Sequence, residues 1–146
     1  MKLATKRDDV LAEIDGVWVE YEDAKILIAR LGNPKNRKSF EKAQRKFKTK
    51  IKREKMSISD NREVTARTLS ESIILDWKNI NDFEGKPLAA TVPNFYKALR
   101  HDIDFREFVS EQADISENFR AAEVEGDGGK LQSGSGGKSS TVTRKS

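Results

Sequence analysis

Residues 16–31 read GVWVEYEDAKILIARL, and the reading of this stretch decides the fold class. Val17, Val19 and Tyr21 alternate with Trp18 and Glu20, a period of two in residue types that favour strands. Glu22 and Asp23 make a turn, and AKILIARL follows as a second strand with Ile26, Ile28 and Arg30 on one face. Ala, Leu and Arg also favour helix, so a helical reading of AKILIARL stands beside the strand reading. The expected architecture is mostly α, in the α+β class. It has a small N-terminal β-hairpin over about 16–31, then four helices and a disordered C-terminal tail.

Upstream, residues 1–13 are charged and read as a short helix or a frayed start. Downstream, Gly32, Asn33 and Pro34 stop the second strand, and Pro34 suits the first turn of a helix. Residues 35–55 place Phe40, Ala43, Phe47 and Ile51 on a narrow apolar stripe, which predicts one helix buried along that edge. Ser57, Ser59 and Asp60 offer caps for a helix over 61–79, with Val64, Ala66, Leu69, Ile73, Ile74 and Trp77 as its inner face. Residues 81–85 (NDFEG) form a turn. Thr91 caps a short helix over about 92–100, and Asp102 or Asp104 caps a last one over 103–122. Residues 1–123 then form a single domain.

From Gly126 the composition shifts to Gly, Ser and Lys. Such a segment buries too little apolar surface to offset its ordering entropy, so residues 124–146 read as disordered. Gly137-Lys138-Ser139 is not a P-loop, because Gln132 stands where the motif needs its first Gly. The chain has no Cys and one His, which excludes disulfides, thiolate metal sites and a multi-histidine site within one chain. His101 has no nucleophile in a recognisable arrangement, and Asp102 and Asp104 beside it read as caps. No catalytic residue, cofactor or metal is expected, and the chain is not read as an enzyme. Met1 is followed by charge, and no apolar run reaches the ~20 residues of a membrane span. An intracellular, soluble chain without membrane contact is expected.

The net charge of +4 hides a segregation. Residues 34–55 carry 11 basic and 2 acidic side chains, whereas residues 101–123 carry 2 basic and 7 acidic. The basic stretch, with Lys38, Lys42, Arg45, Lys46 and Arg53, is a candidate electrostatic contact face. It could meet an acidic protein surface, on this chain or a neighbour, or act as a small basic nucleic-acid-binding module. A head-to-tail contact between unlike patches builds rings or open helices.

Residues 73–119 read IILDWKNINDFEGKPLAATVPNFYKALRHDIDFREFVSEQADISENF. A Trp, a short acidic turn ending in Gly, a Pro exit, a capped helix ending in Leu, and a last helix with aromatic-Val and a late Phe occur in that order. Those places are held by Trp77, Asp82, Gly85, Pro87, Leu99, Phe105, Phe108, Val109 and Phe119. Trp18 and the run Ala29-Arg30-Leu31-Gly32-Asn33, followed by a basic stretch, extend the pattern to about 16–122. The pattern resembles the tail assembly chaperones of long-tailed bacteriophages with non-contractile tails, from which Leu88-Ala89-Ala90 departs in the loop after the Pro. The resemblance implies a non-enzymatic protein of the host cytoplasm, absent from the finished virion. It implies binding to the tape measure protein, which is kept soluble until tail tube protein polymerises around it, and action in many copies as a homo-oligomer. It also implies a programmed frameshift, for which the Gly-Lys pairs ending at Lys130 and Lys138 are candidate boundaries.

Overall fold

A computed structural model describes residues 9–120, and Val10–Phe119 forms one compact unit. The proposed tail over 124–146 and the candidate boundaries at Lys130 and Lys138 lie outside the described residues.

The unit begins with a short helix, α1 (Val10–Asp15), and the expected hairpin: β1 (Val17–Tyr21) pairs antiparallel with β2 (Ala24–Ile28). Ala24, Ile26 and Ile28 point into the core, and Val17, Val19 and Tyr21 pack against it from β1. AKILIARL is thus strand through Ile28. Gly16 joins α1 to β1 at φ 92°, and a Cβ there would sit 2.8 Å from Leu75 Cδ1 and 3.0 Å from the Ile28 carbonyl. Only glycine fits that left-handed, crowded corner.

α2 (Pro34–Arg45) and α3 (Lys48–Lys52) replace the single helix expected over 35–55. Asn33 caps α2, its side chain accepting from the Asn36 N–H, with Pro34 in the first turn. The helix breaks at Lys46 and Phe47. A continuous helix would place Lys38, Lys42, Lys46 and Lys50 at i,i+4, a like-charge row that destabilises it, and no residue of α3 is buried to compensate. Of the expected apolar stripe only Ala43 is buried. Asn36, Ser39 and Ala43 face inward, while Phe40 is 44% and Ile51 39% exposed.

α4 (Ile58–Ser72) starts at a complete capping box: the Ser57 hydroxyl accepts from the Asp60 N–H, and the Asp60 carboxylate accepts from the Ser57 N–H. Its C-terminus differs from the helix expected over 61–79. Residues Ile74–Lys78 form β3, antiparallel to β2, which turns the hairpin into a three-stranded sheet in the order β1-β2-β3. The cause is a bulge. Leu27 faces Asp76 but Ile28 faces Ile74, so Leu75 is the extra residue. The bulge buries both Ile74 and Trp77, three apart, and so gives a strand a helix-like spacing.

α5 (Val92–His101) has the predicted Thr91 cap. α6 (Ile103–Asp114) is capped by Asp102, whose side chain accepts from the Phe105 N–H. α6 is shorter than expected. The Asn118 side chain donates to the Gln112 carbonyl (2.9 Å), and a 3-10 turn (Ser116–Phe119) delivers Phe119 into the core, fully buried. The core joins Ile26 and Ile28, Leu69 and Ile73 of α4, Trp77, Phe95 and Leu99 of α5, and Phe105 and Val109 of α6.

α2 docks on α4 through polar contacts. Asn36 Nδ2 donates to Ser72 Oγ at 3.0 Å, and Ser39 Oγ donates to Glu71 Oε1 at 2.9 Å. α5 is tied to α4 by Glu63, which accepts from the Tyr96 hydroxyl and pairs with Arg67 (3.3 Å) and Arg100 (3.6 Å). Burial pushes the Glu63 carboxyl up, but Tyr96, Arg67 and Arg100 outweigh it and hold its pKa below the ordinary value of 4.5. A depressed folded-state pKa contributes stability that is complete above the unfolded value and lost as pH falls through the folded one. Acid titration of the melting temperature therefore falls more steeply, between about pH 5 and 3, for the native chain than for Glu63→Gln. Equal slopes would remove Glu63 from the acid response.

Candidate interaction surfaces

The residues of the Trp77-to-Phe119 pattern form one packed assembly. The Trp77 indole N–H donates to the Leu88 carbonyl at 2.9 Å, and its ring meets Phe95 edge-on at 4.7 Å. Phe105 lies 6.3 Å from Trp77 and 5.5 Å from Tyr21, and the half-buried Phe108 lies 4.7 Å from Tyr21. Leu99, Val109 and Phe119 close the core beneath. Between Trp77 and α5 the chain folds into a tight loop. Asp82 Oδ1 accepts from the Glu84 and Lys86 N–H groups, Gly85 turns at φ 81°, and Asn81 bridges to Pro87. In the Leu88-Ala89-Ala90 segment, the Leu88 N–H donates to the Ile80 carbonyl and the Ala89 carbonyl accepts from Asn94 Nδ2. These are positioning roles.

Trp18, by contrast, is 42% exposed on β1, with Lys78 Nζ 4.7 Å from its ring centroid. Gly32 sits at φ 86°, and its carbonyl accepts from Arg37 Nη1.

Two surfaces stand out on the unit. The first is basic. Lys38, Lys42, Arg45, Lys46 and Arg53 are all exposed on or beside α2 and α3, with Ile51 exposed on α3 and Phe40 exposed on the flank of α2 that carries Arg37. Lys50 pairs with Asp60 at 3.0 Å, while Lys38, Lys42 and Lys46 make no ion pair among the described residues.

The second is a groove of about 1250 Å³ between the β1–β2 turn, the loop after β3 and the corner joining α5 to α6. Tyr21, Ile80, Leu88 and Phe105 contribute apolar surface. Glu22, Asp23, Asp102 and Asp104 are exposed at its edges, with Lys97 the lysine among the lining residues. Burial raises the Tyr21 hydroxyl pKa, and the nearby Asp102, Glu22 and Asp104 carboxylates raise it further, so three negative charges converge on this ring. Phe83 stands at the loop tip, fully exposed, and Ile103 is 46% exposed at the start of α6. Sequence reasoning missed Phe83 and the groove. The one available signal was an aromatic residue inside a turn that otherwise reads as polar.

The YdaY prophage protein family matches the chain over residues 31–130. No curated protein and no solved structure matches it.

Proposed function

The chain belongs to the YdaY prophage protein family and is of phage origin, and from that premise we propose that it is a tail assembly chaperone. It binds the tape measure protein, holds that long helical client in solution, and hands it to tail tube protein in the host cytoplasm without entering the virion. It performs no chemical conversion. The observation that carries this reading is a pair of surfaces of opposite charge that also expose apolar side chains: Ile51 among the lysines of α3, Phe83 and Ile103 among carboxylates. Exposed apolar side chains grouped with strong charge mark surfaces that meet other polypeptides. Several weak sites on associated copies give a long client avidity that one copy lacks. The resemblance adds that a longer frameshifted product diverges at Lys130 or Lys138, which the codons of those Gly-Lys pairs test.

Co-expression tests the client. The tape measure protein of the same prophage is expected to move from the pellet to the soluble fraction and to co-purify with the chain. A client that stays insoluble beside soluble chain overturns the proposal. The unpaired lysines of α2 favour a second reading, nucleic-acid binding. Duplex DNA affinity that falls steeply with salt and vanishes when Lys38, Lys42 and Lys46 become Gln would favour it.

A further inference from the structure

We propose that the acidic-edged groove receives a short segment of a partner polypeptide in which an apolar side chain is flanked by lysines or arginines. The groove measures about 1250 Å³, above the ~300–1,000 Å³ of a small-molecule site, so its size suits a stretch of chain. Tyr21, Ile80, Leu88 and Phe105 give it apolar surface for an anchor. Glu22, Asp23 and Asp104 stand exposed at its edges and make no ion pair among the described residues. Burial and then Asp102, Glu22 and Asp104 raise the Tyr21 hydroxyl pKa, which places those three carboxylates around one ring. Among the lining residues only Lys97 and His101 are basic, so the carboxylates prevail. On a chain of net charge +4 the groove is a local excess of negative charge. A cationic segment is drawn to it, and nucleic acid or an acidic peptide is repelled.

The walls are set before any partner arrives. Asn79 Nδ2 donates to the Asp23 carbonyl at 2.9 Å and ties the β1–β2 turn to the loop after β3. Within that loop, Asp82 Oδ1 accepts from the Glu84 and Lys86 N–H groups, and the Leu88 N–H donates to the Ile80 carbonyl at 2.8 Å. The Asp102 side chain holds the α5–α6 corner by accepting from the Phe105 N–H. Binding therefore costs little further ordering on this side of the contact. Phe83 projects fully exposed from the fixed loop, so its ring gains most when an apolar side chain covers it. Aromatic anchors of this kind concentrate interface energy, while the charged edges set orientation and salt dependence. The inference goes beyond the chaperone reading, because it rests on the chemistry of the groove and holds for whichever protein supplies the segment.

Titration of the full chain with a capped synthetic peptide, a leucine pair flanked on each side by a pair of lysines, tests the groove by nuclear magnetic resonance. The chain has two indoles. The Trp77 indole N–H donates to the carbonyl of Leu88, which lines the groove, whereas Trp18 lies on the outer face of the sheet. The Trp77 indole resonance is expected to move and the Trp18 resonance to stay. Glutamates in place of the peptide's lysines, or serines in place of its leucines, are expected to weaken binding at least about tenfold. Asp23→Lys/Asp104→Lys and Phe83→Ala are each expected to weaken it as much with an unchanged circular dichroism spectrum. Phe83→Ala keeps the test decisive if the charge-reversed variant misfolds. No binding, equal binding of the glutamate or the serine peptide, a shift at Trp18 in place of Trp77, or a folded variant that binds like the native chain overturns the proposal. So does peptide binding that falls as the concentration of the chain rises, which would make a second copy the occupant. A client that stays insoluble beside a chain that binds the peptide fails the chaperone reading and not this one. A client made soluble by a chain that ignores the peptide fails this one and not the chaperone reading.

Discussion

Trp77→Ala is expected to lower the unfolding free energy by about 3–5 kcal/mol, the range for emptying a large aromatic site in a packed core. Trp77 is 5% exposed, and three kinds of contact end with it. The edge-on stack with Phe95 and the looser one with Phe105 are lost. The Leu88 carbonyl loses its indole donor. β3 loses its largest buried side chain, opposite Ile26 of β2. Against a typical stability of about 5–15 kcal/mol, such a loss leaves a small domain marginal. Thermal melting is expected to fall by roughly 10–20 °C. Trp77→Phe separates the terms: it keeps most of the apolar volume and removes the donor, so a loss near 1–2 kcal/mol is expected. Equal losses in the two variants would assign the effect to the Leu88 hydrogen bond rather than to packing.

The same residue shows where sequence reasoning reaches its limit. Ile73, Ile74 and Trp77 fit a helix template, and α4 does run up to Ser72. A bulge at Leu75 lets a strand bury residues three apart, and nothing in a periodicity count distinguishes that from a helical turn. The hairpin was legible because its alternation is regular and its turn is a pair of acids. The caps Ser57, Thr91 and Asp102 were legible because a short polar side chain before a periodic run satisfies orphan N–H groups locally, whereas Asn33 reads only as part of the stop before Pro34.

The failures share a cause in tertiary context. Phe40 and Ile51 were expected inside because apolar residues at helical spacing normally face a core. Here α4 presents Ser72 and Glu71 to α2, so Asn36 and Ser39 make the better contact and the aromatic face is left outside. Phe40 and Ile51, which helical spacing assigns to the core, are for this reason exposed.

Two phenylalanines make the sharpest contrast in expected effect. Phe119→Ala is expected to cost about 3–5 kcal/mol, because its fully buried ring closes the core at the point where α6 has ended and the 3-10 turn folds back. The Asn118–Gln112 hydrogen bond does not offset that loss, since it holds the turn and not the ring. Phe83→Ala is expected to stay within about 0.5 kcal/mol of the native chain, as for a surface substitution that removes no cap, hydrogen bond or packing contact. Urea titration of the two variants checks both. A large loss for Phe83→Ala would place its ring in an unrecognised intramolecular contact and withdraw it as an anchor for a partner. A small loss for Phe119→Ala would mean that the chain beyond α6 adds little to the core.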